Sequence, residues 1–169
     1  MPNTLTRAAR TFAGEIIGYR VIGEDVSPNH SGNLGTSFAS IHDDATVSFI
    51  APLSGKVEVT VQVYIVTSSA GEIVQFALST TDTTSFTSLG VQYEQQVFIA
   101  DRGDDSVIQH SWVVTGLTDG TQYNYWLAAE ATTGTTRLYW GGDATAEYPD
   151  FIMKVIVLPV AVASYAVYG

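Results

Sequence analysis

Between residues 57 and 65, Val57, Val59, Val61, Val63 and Ile65 take every second position, and Glu58, Thr60, Gln62 and Tyr64 fall between them. An alternation this strict predicts an antiparallel strand with one face buried and the other turned outward. A short apolar run, VSFIA at 47–51, and a PLSG turn at 52–55 lead into it. Two such strands joined by a tight turn predict the core of a β-sandwich.

Strand-like runs of the same kind recur along the chain, approximately at 14–22, 36–41, 45–51, 56–67, 72–80, 91–99, 106–115, 121–130, 135–140 and 150–158. No helical period persists between them. Turn chemistry separates the runs: SPN at 27–29, SGN at 31–33, SSAG at 68–71, DRGD at 101–104, TDG at 118–120, TTG at 132–134 and GGD at 141–143. These residues supply positive φ or side-chain bonds to the backbone, as turns require. The expected fold is therefore all-β, an antiparallel β-sandwich of the jelly-roll type with about eight to ten strands.

The block SWVVTGLTDGTQYNYWLAAE at 111–130 carries the next clearest pattern. Trp112 and Val114 share a face, GLTDG makes a corner, and Tyr123, Tyr125, Leu127 and Ala129 alternate inward. Trp126 then falls on the opposite face, where it reads as a subunit or sheet contact or as a ligand platform.

Composition narrows what such a sandwich does. A chain of 169 residues without cysteine has neither thiolate chemistry nor disulfides, so packing and self-association must hold it together. Only 14% of its residues are charged, against about 25% in an ordinary soluble domain, which points to surface that faces protein. Seven Lys and Arg against 17 Asp and Glu argue against nucleic-acid binding. No apolar stretch of membrane-spanning length occurs and no signal peptide is visible, so no membrane partner is expected.

The charge is also uneven. Residues 1–20 hold Arg7, Arg10 and Arg20 against Glu15, a net of +2, and the remaining four basic and sixteen acidic residues give a net of −12. The sequence thus divides into a basic arm at 1–20, a sandwich at 21–158 and an uncharged apolar tail at 159–169. A basic arm of this kind reads as a loosely ordered terminus or as an anchor for an acidic surface.

Catalytic chemistry finds little footing. His30, His42 and His110 lie far apart and none sits in a nucleophile-elbow or triad context. Carboxylates at Asp43, Asp44 and Asp143 are weak metal candidates, since they occupy turns but lack the spacing of a dedicated calcium loop. The Arg-Gly-Asp triplet within 101–104 reads as a tight turn. Neither an enzyme nor a cofactor is expected.

The stretch VSFIAPLSGKV at 47–57 resembles the strand and turn of jelly rolls similar to tumour necrosis factor and complement-type globular heads. WVVTGLTDGTQY at 112–123, YWGGD at 139–143 and PDFIMKVIVLP at 149–159 resemble a set found in small structural proteins of tailed bacteriophages. This resemblance implies a homotrimer that acts in the virion as a capsid decoration (cement) protein, bound to the major capsid protein and stabilising the head. Its alternative is a tail-fibre or tail-appendage head that binds a host receptor or glycan.

In the decoration reading Arg7, Arg10 and Arg20 are the anchoring residues, and Tyr64, Trp126, Tyr165 and Tyr168 are subunit contacts. In the tail reading Tyr64, Tyr93 and Trp126 form the contact surface. Removal of residues 1–20 is expected to leave a folded trimer that no longer binds shells.

Overall fold

The structure, a computed structural model, describes residues 12–23, 25–68, 71–82, 91–99 (main chain only), 105–132, 135–142 and 147–160. Among these residues the chain forms ten strands and no helix: β1 (Ile16–Ile22), β2 (Ala39–Ser40), β3 (Thr46–Ile50), β4 (Val57–Thr67), β5 (Glu72–Ser79), β6 (Val91–Ile99), β7 (Ser106–Val114), β8 (Gln122–Ala131), β9 (Thr136–Tyr139) and β10 (Phe151–Val157). They pair antiparallel in two five-stranded sheets.

The first sheet runs β1-β10-β4-β7, with β9 also on β4; the second runs β2-β8-β5-β6, with β3 also on β8. β7 pairs with residues 57–65 of β4, and β9 with residues 64–67. β9 therefore lies end to end with β10 on the far edge of β4. Likewise β2 and β3 share one edge of β8, and β5 takes the other. The chain crosses between the sheets at six of its nine connections, staying within one sheet from β2 to β3, β5 to β6 and β9 to β10, and its first and last strands pair with each other. This is a jelly roll.

The alternation read from residues 57–65 has its expected outcome. Val57, Val59, Val61, Val63 and Ile65 are buried, facing Phe76, Leu78, Tyr125 and Leu127 of the second sheet within one continuous core. Each such aliphatic side chain contributes about 1.5–3 kcal/mol when fully removed from water. Phe151, Met153 and Val155 of β10 and Trp112 and Val114 of β7 complete the first sheet's inner face.

The turn at 52–55 is a passage between sheets, because β3 belongs to the second sheet and β4 to the first. Gly55 closes it by donating to the Pro52 carbonyl at 2.8 Å, and Leu117 donates to the Gly55 carbonyl at 3.1 Å. Gly55 has φ +60°, and a Cβ there would lie 2.7 Å from the Leu117 oxygen, so no other residue fits without backbone movement. The corner at 115–121 is bound to the same turn. Gly120 donates to Ala51 at 3.0 Å, and the Tyr123 hydroxyl accepts from the Thr118 N–H at 3.1 Å.

These contacts also define the two ends of the sandwich. Gly14 donates to the Val157 carbonyl at 2.8 Å and Leu158 to the Lys56 carbonyl at 3.1 Å. Both ends of the described chain thus leave beside the 52–55 turn. At the opposite end β4, β6 and β8 finish and β5, β7 and β9 begin.

Candidate assembly face and distal groove

Strand register decides which side chains share the outer face of the first sheet. Across it, Ile16, Ile156, Glu58 and Val113 form one row; Tyr19, Lys154, Thr60 and Ser111 form the next; Val21, Ile152, Gln62 and Gln109 form a third. Tyr139, Tyr64 and Val107 continue it. In these rows Glu58 and Lys154 are the only charged residues. Four large apolar side chains stand well into solvent: Ile16 at 54%, Tyr19 at 59%, Val107 at 47% and Val113 at 56% exposure. A face with four large exposed apolar side chains and so little charge has the character of a contact surface. Thr60 and Ser111 bond to each other at 2.8 Å, which satisfies both hydroxyls within the sheet.

Toward the end remote from the termini the face becomes aromatic. Tyr139 lies 4.5 Å from Tyr148 and 5.5 Å from His30, and Tyr64 lies 5.5 Å from Tyr148, centroid to centroid. Burial, and second the Asp105 carboxylate, push the Tyr64 hydroxyl above the ordinary tyrosine pKa, because both oppose the phenolate.

Beyond Tyr139 the surface opens into a groove of about 340 Å³, lined by Asn33, Val66, Thr67, Ser68, Thr135, Arg137 and Tyr139. Arg137 and Tyr139, two residues apart on β9, point the same way. The segment at 29–35 forms the wall. Ser31 donates to Leu138 at 2.9 Å, Leu34 to Thr136 at 2.8 Å, and Ala131 to Gly35 at 2.8 Å, so it is fastened to both sheets. Within the groove Arg137 Nε donates to Asn33 Oδ1 at 2.7 Å.

Of the residues singled out from the sequence, those that the structure describes are not gathered in one place. Tyr64 lies on the outer face of the first sheet. Trp126 lies on the outer face of the second, half-buried between Thr46 and Ser79. No single flat contact contains both, which corrects the surface expected from Tyr64, Tyr93 and Trp126 together. Tyr93 belongs to β6, whose side chains are outside the described residues, as are Arg7, Arg10, Asp143, Tyr165, Tyr168 and the 101–104 turn.

Arg20 departs from the arm reading. It lies in β1, opposite Met153, and its guanidinium pairs with the Asp44 carboxylate while Nε donates to the Asp44 carbonyl at 3.1 Å. Residues 16–20 are strand, and Ile22 at the end of that strand is fully buried. Removal of residues 1–20 would therefore strip most of an edge strand, so the expectation of an intact trimer after that deletion does not hold for this fold.

Asp44 is equally committed, and Asp43 beside it is exposed. No group of three metal-ligating side chains occurs among the described residues. Each histidine ring rests near an aromatic one: His30 near Tyr139, His42 5.5 Å from Trp140, and His110 4.6 Å from Trp112. His42 Nδ1 accepts the Asp44 N–H at 3.0 Å, which ties the ring to its own turn. Burial lowers the pKa of His110. These are turn and packing roles.

Sequence reasoning did not find Tyr139, Tyr148, Asn33 or Arg137 as a group. The turn signal at 31–33 and the strand at 135–140 were both legible. Their meeting depends on backbone bonds between segments about a hundred residues apart.

No protein-family model matches the chain, and no curated protein matches it. Among solved structures it is similar to the Eiger TNF of S. frugiperda, with a TM-score of 0.53 and 12% identity over 88% of this chain and 96% of that one. This likeness supports the tumour-necrosis-factor-like jelly roll and shows the fold alone. Dimeric latent PorU from Porphyromonas gingivalis aligns with 88% of this chain but 13% of its own length, with a TM-score of 0.38 and 13% identity, too low to bear on the fold.

Proposed function

We propose that this chain is a non-enzymatic structural protein of a bacteriophage virion, a homotrimeric jelly roll that binds the major capsid protein and stabilises the head. The observation that carries the assembly part is the outer face of the first sheet, which exposes Ile16, Tyr19, Val107 and Val113 and whose rows contain a single acid and a single base. Burying such a face against another copy removes apolar surface from water at little desolvation penalty. A closed threefold ring uses heterologous contacts, so each copy offers this face and a second, different surface. Trp126, on the opposite side of the sandwich, is a candidate for the second surface.

The position of the termini supports anchoring. Both ends of the described chain leave at one end of the sandwich, so the basic arm, residues 1–11 once β1 is taken into account, and the tail from 161 can reach a common support. The opposite end is then presented outward. Three arms on one trimer gain by effective concentration, so each needs only a modest interface. The phage assignment itself rests on the sequence motifs at 112–123, 139–143 and 149–159.

The test is the mass of the purified protein by light scattering, together with binding to empty heads. A trimer is expected, with Ile156→Asp giving monomers and deletion of residues 1–11 giving trimers that no longer bind heads. A wild-type monomer would remove the trimer, and full head binding by the deletion would remove the anchor.

The second reading, a tail-appendage head domain that binds a host receptor or glycan, is favoured by the groove at the outward end. Copy number separates the two, since hundreds per particle mean decoration and a few tens mean a tail part.

A further inference from the structure

We infer that the groove at the end remote from the 52–55 turn is a binding site for a saccharide carrying a carboxylate, with Arg137 holding the acid and Tyr139 the sugar ring. Its volume of about 340 Å³ lies at the lower end of small-ligand sites, which span about 300–1,000 Å³. Its chemistry is specific. In a chain of net charge −10 the described residues of the lining include a guanidinium and no carboxylate. An anion is therefore attracted locally.

The guanidinium is also oriented. Arg137 Nε is occupied by the neutral Asn33 amide oxygen at 2.7 Å, which fixes the plane of the group without neutralising it. The two terminal nitrogens remain as a parallel pair of donors, the geometry that receives both oxygens of a carboxylate. A lysine would supply the charge without the fork.

The rest of the lining suits a polyhydroxylated ring. Tyr139 is a half-buried aromatic ring of the lining, and its contacts with Tyr148 and His30 restrain it, so little side-chain entropy is lost on binding. Ser68 and the Asn33 amide NH₂ supply hydrogen-bonding groups at the rim, and Val66, which pairs with Arg137 across the strands, gives an apolar floor. An uncharged sugar would leave the guanidinium unmatched, and a purely apolar ligand would leave the polar rim unpaired.

The site gives the second reading under Proposed function a location and a ligand class. It rests on that second reading and on a trimer contact that stops short of Tyr139, which borders the outer face of the first sheet, and it can fail while the trimer and head binding stand.

The experiment applies the full-length protein to an array of acidic and neutral glycans, followed by titration calorimetry on the tightest hit. Binding is expected only to glycans with a carboxylate. Arg137→Gln should weaken it at least ten-fold with an unchanged circular dichroism spectrum, Arg137→Lys should restore part of it, and Asn33→Ala should weaken it several-fold. No bound acidic glycan, equal binding of neutral ones, or undiminished binding by a folded Arg137→Gln protein would each overturn the inference.

Discussion

Arg20 and Asp44 join the two sheets at their open edge. Arg20 comes from β1 in the first sheet, Asp44 from the turn that leads into β3 of the second, and the guanidinium reaches both the carboxylate and the carbonyl of the same residue. A contact to backbone and side chain together fixes the turn as well as the charge. Both side chains remain partly exposed, 38% and 46%, so solvent screens the pair. A double-mutant cycle with Arg20→Ala and Asp44→Ala is expected to give a coupling of about 0.5–1 kcal/mol in urea unfolding, smaller in high salt. A coupling indistinguishable from zero would show that the pair only decorates the edge.

Gly55 gives a larger effect from a smaller change. An alanine at φ +60° pays for a left-handed backbone and also meets the Leu117 carbonyl at 2.7 Å. Gly55→Ala should therefore cost about 1–3 kcal/mol, seen as a lower unfolding midpoint. Gly71→Ala, at φ +72° but with open space around its Cβ, should cost less. Equal losses at both sites would mean that the contact with Leu117 is irrelevant.

The lowered His110 pKa sets a sign for pH dependence. Its side chain faces inward, opposite Val61 and beside Trp112, where burial disfavours the imidazolium. Between the folded pKa and the ordinary histidine value of 6.5 the unfolded chain binds a proton that the folded chain does not. Stability contributed by this group is present above pH 6.5 and is lost as pH falls through that window. His110→Phe should flatten the slope of stability against pH there, and an unchanged slope would assign it to other groups.

Tyr64 can be followed by its absorbance. The difference between wild type and Tyr64→Phe should reveal one hydroxyl that ionises above the usual value of 10.0, and Asp105→Asn should bring it down only in part, because burial is the larger cause. A full return to 10.0 would reverse that order.

The strands at 91–99, 56–67 and 106–115 could be placed to within one residue, and the inward sets on β4 and β8 could be named. A period-two pattern is written in adjacent residues and survives any arrangement of the sheets. The candidate site was far less legible. Arg20 looked like part of a charged arm because charge was counted along the chain, whereas its partner Asp44 is fixed by folding β1 against the turn before β3. Asn33 and Arg137 each looked like ordinary turn and strand residues.

What the sequence determined by itself is therefore the jelly roll's strands, its turn residues and the choice of which side chains turn inward, since local alternation and turn chemistry specify these. Only the tertiary structure decided which outward residues are neighbours. Tyr64 and Trp126 both alternate outward, yet β4 and β8 belong to different sheets, so the two rings stand on opposite sides of the protein. Pairing between distant strands sets that relation, and no residue within either strand encodes it alone.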